Sequence, residues 1–160
     1  MTTSHDTSTE AVLTAVLRLT PAGDDTRLNL LTDPSAAEVV GRWIADEVRQ
    51  YEPTVVAVWD DPQAAVLAHI VAREVGCVVV RVIETEGLVR LVDAPLAVGR
   101  VALLADRFTA ENSLGALLGV VENHGLTTVA VAAVVDSEPL DHAVAEGRYP
   151  VIAPSRGRAA

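Results

Sequence analysis

Four carboxylates stand where apolar runs give way to helices. Asp60 and Asp61 follow Thr54-Val-Val-Ala-Val-Trp59, and Asp106 and Glu111 follow Val101-Ala-Leu-Leu-Ala105. In an open α/β sheet, ligands bind at such strand-to-helix turns, at the carboxyl ends of the strands. Around the second pair lie Arg107, Thr109, Asn112 and Ser113, all able to hydrogen-bond a ligand. Trp59 sits beside the first pair, placed either to stack on a ring or simply to pack. Together, Asp60, Asp61, Asp106 and Glu111 would form an acidic crevice. Such a crevice repels phosphate and favours a divalent cation, held by Asp60, Asp61 and Asp106, or an amine. A structural role stays open as well, because aspartates beside a helix N-terminus are good caps.

Much other chemistry is excluded. The chain has no lysine, and its 12 basic residues are all arginine. Schiff-base chemistry, a Walker-type lysine and a lysine general acid are therefore absent. Cys77 is the single cysteine and lies in the apolar run Cys77-Val-Val-Val-Arg-Val-Ile83, so it reads as an inert buried thiol without a disulfide partner. His5, His69, His124 and His142 show no metal-ligand spacing. His69 reads as a helix-surface or core residue and His124 as part of a helix C-terminus. A net charge of −10 argues against nucleic acid or an anionic membrane as partner. No segment reaches transmembrane length and no hydrophobic leader opens the chain, so the expected location is the cytoplasm.

The elements that position these residues follow from the pattern. At 160 residues, half of them apolar, the chain fits one domain with a substantial core. With only 3% aromatics, that core is aliphatic. Residues 1–10 are polar and small and read as a disordered tail, 11–153 as the domain, and 154–160 as a loose tail. Residues 11–19 are apolar without a decisive period. Pro21 to Asp25 reads as a turn and Arg27 to Leu31 as a strand. Asp33 and Pro34 then open a helix as N-cap and first residue, with Val40, Trp43, Ile44 and Val48 at helical spacing; Trp43 reads as core or dimer interface. From Pro53 onward strands and helices alternate. Thr54–Trp59, Cys77–Ile83, Leu88–Val92, Val101–Ala105, Thr127–Val135 and Tyr149–Ala153 read as strands. Pro62–Val75, Asn112–His124 and Pro139–Glu146 read as helices, and Pro95–Gly99 as a connection. Continuous valine-rich runs separated by helices imply a parallel sheet covered on both faces.

The segment from Gly99-Arg100-Val101 to Ser113 resembles the signature strand and phosphate loop of the type I phosphoribosyltransferases, the orotate-type enzymes in particular. Leu103, Leu104, Asp106, Thr109 and Ser113 match that signature. Ala105 replaces its first acid, Ala110 one threonine, and Glu111 and Asn112 its two glycines. Arg81 falls at the arginine of an Arg-Lys pair, while Val82 takes the lysine position. The catalytic loop that follows is shortened to Glu84 through Leu91. Trp59 to Ala64 corresponds to the pyrophosphate loop, and Arg27 to Gln50 to the small N-terminal hood element.

The resemblance covers 27–153 and implies a phosphoribosyltransferase-like α/β fold, a central parallel sheet flanked by helices, with a homodimer as the default assembly. In the family, the two acids hold the ribose hydroxyls of phosphoribosyl pyrophosphate with help from magnesium, so Mg2+ is implied wherever that substrate is still bound. Here a carboxylate and a Cβ enter the glycine nest. Two negative groups about 4 Å apart repel by roughly 1 kcal/mol with water-like screening, and by more when partly buried. The expectation is therefore a non-catalytic homologue acting as a binding, regulatory or partner subunit, as a homodimer or with a related chain, and able to take a small nucleotide-like ligand. The alternatives are a divergent enzyme transferring ribose 5-phosphate to a nucleobase, and a subunit stable only with an active paralogue.

Overall fold

A computed structural model describes residues 3–22, 27–92 and 98–157. Two helices come first, α1 (Thr3–Leu19) and α2 (Pro34–Arg49). An alternating series follows: β1 (Val55–Trp59), α3 (Pro62–Val75), β2 (Val78–Thr85), β3 (Leu88–Leu91), β4 (Arg100–Ala105), α4 (Leu114–Asn123), β5 (Thr127–Ala133), α5 (Glu138–Glu146) and β6 (Val151–Ile152). A short 3-10 turn spans Pro154–Arg156. The six strands form one sheet in the order β3-β2-β1-β4-β5-β6. All neighbours pair in parallel except β3, which runs antiparallel to β2 at one edge.

The sheet divides the core by strand parity. Val56 and Val58 of β1, Ala102 and Leu104 of β4, and Ala130 and Ala132 of β5 face α1, α2 and α3. Val55, Ala57 and Trp59, with Val101, Leu103, Ala105, Val131 and Ala133, face α4 and α5. Every residue of β1 is buried, as a central strand with both faces covered requires. The few aromatics are used sparingly: Trp43 fills the first layer and Phe108 the second.

Helix ends obey local chemistry. The Asp33 side chain accepts from Ala36 N, with Pro34 at the first helical position. α3 starts at Pro62 and ends at Gly76, whose φ of 86° suits glycine and stops the helix. α2 and α3 pack so closely that Gly41 lies against Ile70.

Several expectations need correction. Arg27–Leu31 is not a strand. Leu28 and Leu30 are buried in strand-like alternation, but Asn29 N–H donates to Leu19 O and Leu30 N–H to Gln63 Oε1, so no strand lies alongside. The undecided run 11–19 is helical, and its helix begins at Thr3, inside the stretch read as a tail. The C-terminal segment is held at its start, where Arg156 bridges Asp136 at 2.7 Å and Asp141. α4 begins two residues later than expected because Ser113 is its cap. The last strand shrinks to Val151–Ile152. Residues 23–25 of the expected turn, 95–97 of the expected connection and 158–160 of the expected tail lie outside the described residues.

Candidate functional site

The two strand-to-helix turns singled out in the sequence lie side by side, because β1 and β4 are neighbours in the sheet. Between them opens a cavity of about 790 Å³. Asp61, Asp106, Arg107, Thr109, Glu111 and Asn112 all line it. Its far wall is Pro21, Arg27, Leu28 and Asn29, brought there by the chain leaving α1; Pro62, Gln63 and Ala110 complete it. Arg27, Asn29 and Gln63 were not selected from sequence. Their signal was parity: Arg27 and Asn29 alternate with the buried Leu28 and Leu30.

The remaining candidates stand apart from the cavity. Asp60 points across the sheet to Arg81, with Arg81 Nη1 3.0 Å from Asp60 Oδ1. The register accounts for this, since Trp59 pairs with Val82 and Asp60 N–H donates to Val82 O. Trp59 is 6% exposed and donates Nε1–H to Ser113 O at 3.1 Å. The indole therefore pins the start of α4 and is not a stacking platform. The expected four-carboxylate crevice reduces to Asp61, Asp106 and Glu111, set against Arg27 and Arg107.

Both helix N-termini at the site are capped by the chain's own side chains. Asp61 Oδ1 accepts from Gln63 N at 2.9 Å and from Ala64 N at 3.1 Å. Ser113 Oγ accepts from Ala116 N at 3.2 Å. The loop before α4 folds on itself: Thr109 Oγ1 accepts from Asn112 N, and Thr109 N–H donates to Asn112 O. These are the acceptor roles that a bound anion takes at a helix N-terminus. No residue between Asp106 and Ser113 has positive φ, so Glu111 and Asn112 sit there without backbone strain.

The electrostatics are uneven. Burial holds the Asp106 carboxyl above the ordinary carboxylate range; the nearby Asp61 charge adds to this, while the Arg107 backbone N–H and guanidinium oppose it. Arg107 Nε is buried without a hydrogen-bond partner. The magnesium site implied by the resemblance does not fit these residues. Ala105 removes one carboxylate, Asp60 is engaged by Arg81, and Asp61 is a helix cap. Among the described residues no three His, Cys, Asp or Glu side chains gather to hold a metal.

The loop after β2 is also closed. Glu86 (φ 53°) and Gly87 (φ 78°) form a two-residue hairpin turn that pairs Thr85 with Leu88. Among the described residues, no long loop joins β2 to β3.

This architecture is the type I phosphoribosyltransferase-like α/β fold. The chain is similar to a phosphoribosyltransferase from Corynebacterium diphtheriae, with TM-score 0.69 and 22% identity over 92% of this chain and 95% of that one. It is similar to orotate phosphoribosyltransferase of Mycobacterium tuberculosis H37Rv, solved with inorganic phosphate, with TM-score 0.65 and 22% identity over 91% and 87%. Adenine phosphoribosyltransferase from Thermoanaerobacter pseudethanolicus gives TM-score 0.67 and 16% identity over 89% and 98%. No protein-family model matches the chain, and no curated protein matches it in sequence. At these identities the likeness is one of fold. No helix among the described residues is long and apolar enough to cross a membrane.

Proposed function

We propose that this chain is a non-catalytic phosphoribosyltransferase homologue, a binding or regulatory module that keeps the fold and the cavity but not the transfer reaction. One observation carries the reading. The loop after β4 satisfies its own backbone donors with Thr109 and Ser113 hydroxyls and places Glu111 where the family has glycine. A phosphate entering there would displace these hydrogen bonds and meet a carboxylate. The closed hairpin at Glu86–Gly87 and the lack of lysine support the same reading.

The test is a thermal-shift titration with phosphoribosyl pyrophosphate, with and without magnesium. A ligand at about 100 times its Kd stabilises by roughly 2.7 kcal/mol, which is readily seen. No shift is expected. A magnesium-dependent shift followed by pyrophosphate release in the presence of a nucleobase would establish the alternative, a divergent enzyme. The retained Asp106 and Thr109 in an open cavity are what favour that alternative.

The module is further proposed to act as a homodimer or with a related subunit. Leu17 is 73% exposed on α1, and Leu31, which is 59% exposed, lines an apolar groove of about 430 Å³ between α2 and α3. Light scattering on the purified chain, and copurification from its host, would separate a self-sufficient homodimer from a subunit that needs another chain.

A further inference from the structure

We propose that a second copy of this chain docks on the outer face of the helical layer α1–α2–α3, each copy seating Leu17 in the apolar groove of the other. The proposal rests on the dimeric reading above and names its surface and its occupant.

The layer supplies both halves of the contact. α2 packs between α1 and α3. Its outward stripe of Ser35, Val39, Arg42 and Asp46 runs down the middle of the face. To one side Leu17 projects from α1; to the other lies the groove, with Leu31, Pro34, Ala37, Val66 and Ile70 in its wall. Knob and groove stand at the same level. Arg18, next to Leu17, reaches Asp33 at 2.6 Å, and Pro34 of the groove follows Asp33 at the start of α2. A two-fold axis along α2 lays α1 of one copy over α3 of the other without changing that level. The same contact is then made twice, as an isologous interface requires. Val39, 40% exposed near the axis, comes to face Val39 of the other copy.

Charge selects the occupant. Asp33 pairs with Arg18, and Glu38 and Glu74 pair with Arg42 and Arg73, all at 2.6 to 3.6 Å. Three acids against three arginines leave the surroundings of knob and groove neutral, in a chain whose net charge is −10. Two copies so charged repel one another through an acidic surface, and here they meet without that repulsion. A basic partner gains nothing from acids already paired and is drawn to the acidic remainder of the chain instead. The second copy also lies against Leu30 and Leu31, which continue the Leu28-Asn29 wall of the cavity, so docking braces that wall from behind.

The experiment is analytical ultracentrifugation of the full chain and its variants, together with a disulfide cross-link. The parent is expected to be a dimer at micromolar concentration. Leu17→Gln and Leu31→Gln, both at exposed positions, should each raise the dimer Kd by at least about tenfold and leave the circular dichroism unchanged. Val144→Gln, at an exposed position on α5 across the sheet, should leave the Kd as it was. In a Cys77→Ser background, Val39→Cys should give a covalent dimer on mild oxidation, and Val144→Cys should not. Added salt should not loosen the dimer, since its ion pairs lie within each copy. A parent dimer that ignores both leucine substitutions, that salt dissociates, or that Val39→Cys fails to cross-link overturns this surface and leaves the dimeric reading standing. A monomeric parent removes both. The non-catalytic reading is separate from either result and is decided by turnover of phosphoribosyl pyrophosphate.

Discussion

Replacing Asp61 separates its two jobs, capping α3 and carrying charge into the cavity. The carboxylate accepts from Gln63 N at 2.9 Å and Ala64 N at 3.1 Å. Asp61→Ala removes both bonds and exposes the helix N-terminus, a loss of about 1–2 kcal/mol. With an unfolding entropy of roughly 2.1 cal/mol/K per residue, a chain of 160 residues loses about 3–6 °C in Tm for that change. Asp61→Asn keeps an acceptor on the same stem. It gives up a charge–dipole interaction of about 0.3–1 kcal/mol and relieves the repulsion that helps raise Asp106. Its Tm should lie within about 2 °C of the parent. Calorimetry on the three proteins at neutral pH reads these numbers directly. Millimolar pyrophosphate adds a second reading: it should raise the Tm of Asp61→Ala, whose α3 N-terminus is vacant, and leave the parent unmoved. If Asp61→Ala melts with the parent, the cap is unimportant. If Asp61→Asn falls as far as Asp61→Ala, charge rather than the acceptor holds the helix. If pyrophosphate stabilises the parent, the anion position was never filled.

Three further outcomes are expected. Asp106 has its folded pKa raised above its ordinary value, so its contribution to stability is greatest below the unfolded pKa and falls as pH rises through the folded one; Asp106→Asn should flatten the decline in Tm across that acidic window and melt higher than the parent at neutral pH. Gly41→Ala would drive a Cβ into Ile70 Cγ2 and to 2.8 Å from Ile70 Cβ, overpacking that outweighs the gain in helix propensity and leaves a net loss of about 1 kcal/mol in urea unfolding. Glu86 holds a positive φ of 53° in the β2–β3 turn, so Glu86→Asn should stabilise the protein by up to about 1 kcal/mol, whereas Glu86→Val should destabilise it.

How far the sequence could be read depended on whether local chemistry or neighbours decided each feature. The bounds of α3 were legible because Asp61, Pro62 and Gly76 act within their own turn. The covered parallel sheet was legible because β1 and β4 are apolar at nearly every position. Arg27–Leu31 was not, since alternation gives a buried parity and says nothing about a partner; its N–H groups went to a helix end and a glutamine side chain. Within the site, the turns after β1 and β4 were found from composition and place in the chain. Asp60 and Asp61, adjacent in sequence, were read as equals, yet one turns to Arg81 and the other to its own helix. That division follows from strand register, which neighbouring residues do not encode. The cavity's third wall was missed for the same reason: Arg27 and Asn29 arrive from a segment distant in sequence.

The hairpin between β2 and β3 also bears on how the chain reaches this state. Among the described residues it is the sheet's one antiparallel pairing, closed by two residues, and a hairpin of this kind forms in about 1–10 μs. Pairing of β1 with β4 must instead join Val55 to Val101 across the whole intervening chain, and parallel pairings of that separation are slow. The edge strand therefore zips onto β2 early, so that β2 enters the slow assembly already stiffened and with one flank occupied. The short turn thus acts on the time axis: it removes a competing pairing site from β2 while the central strands are still searching for one another.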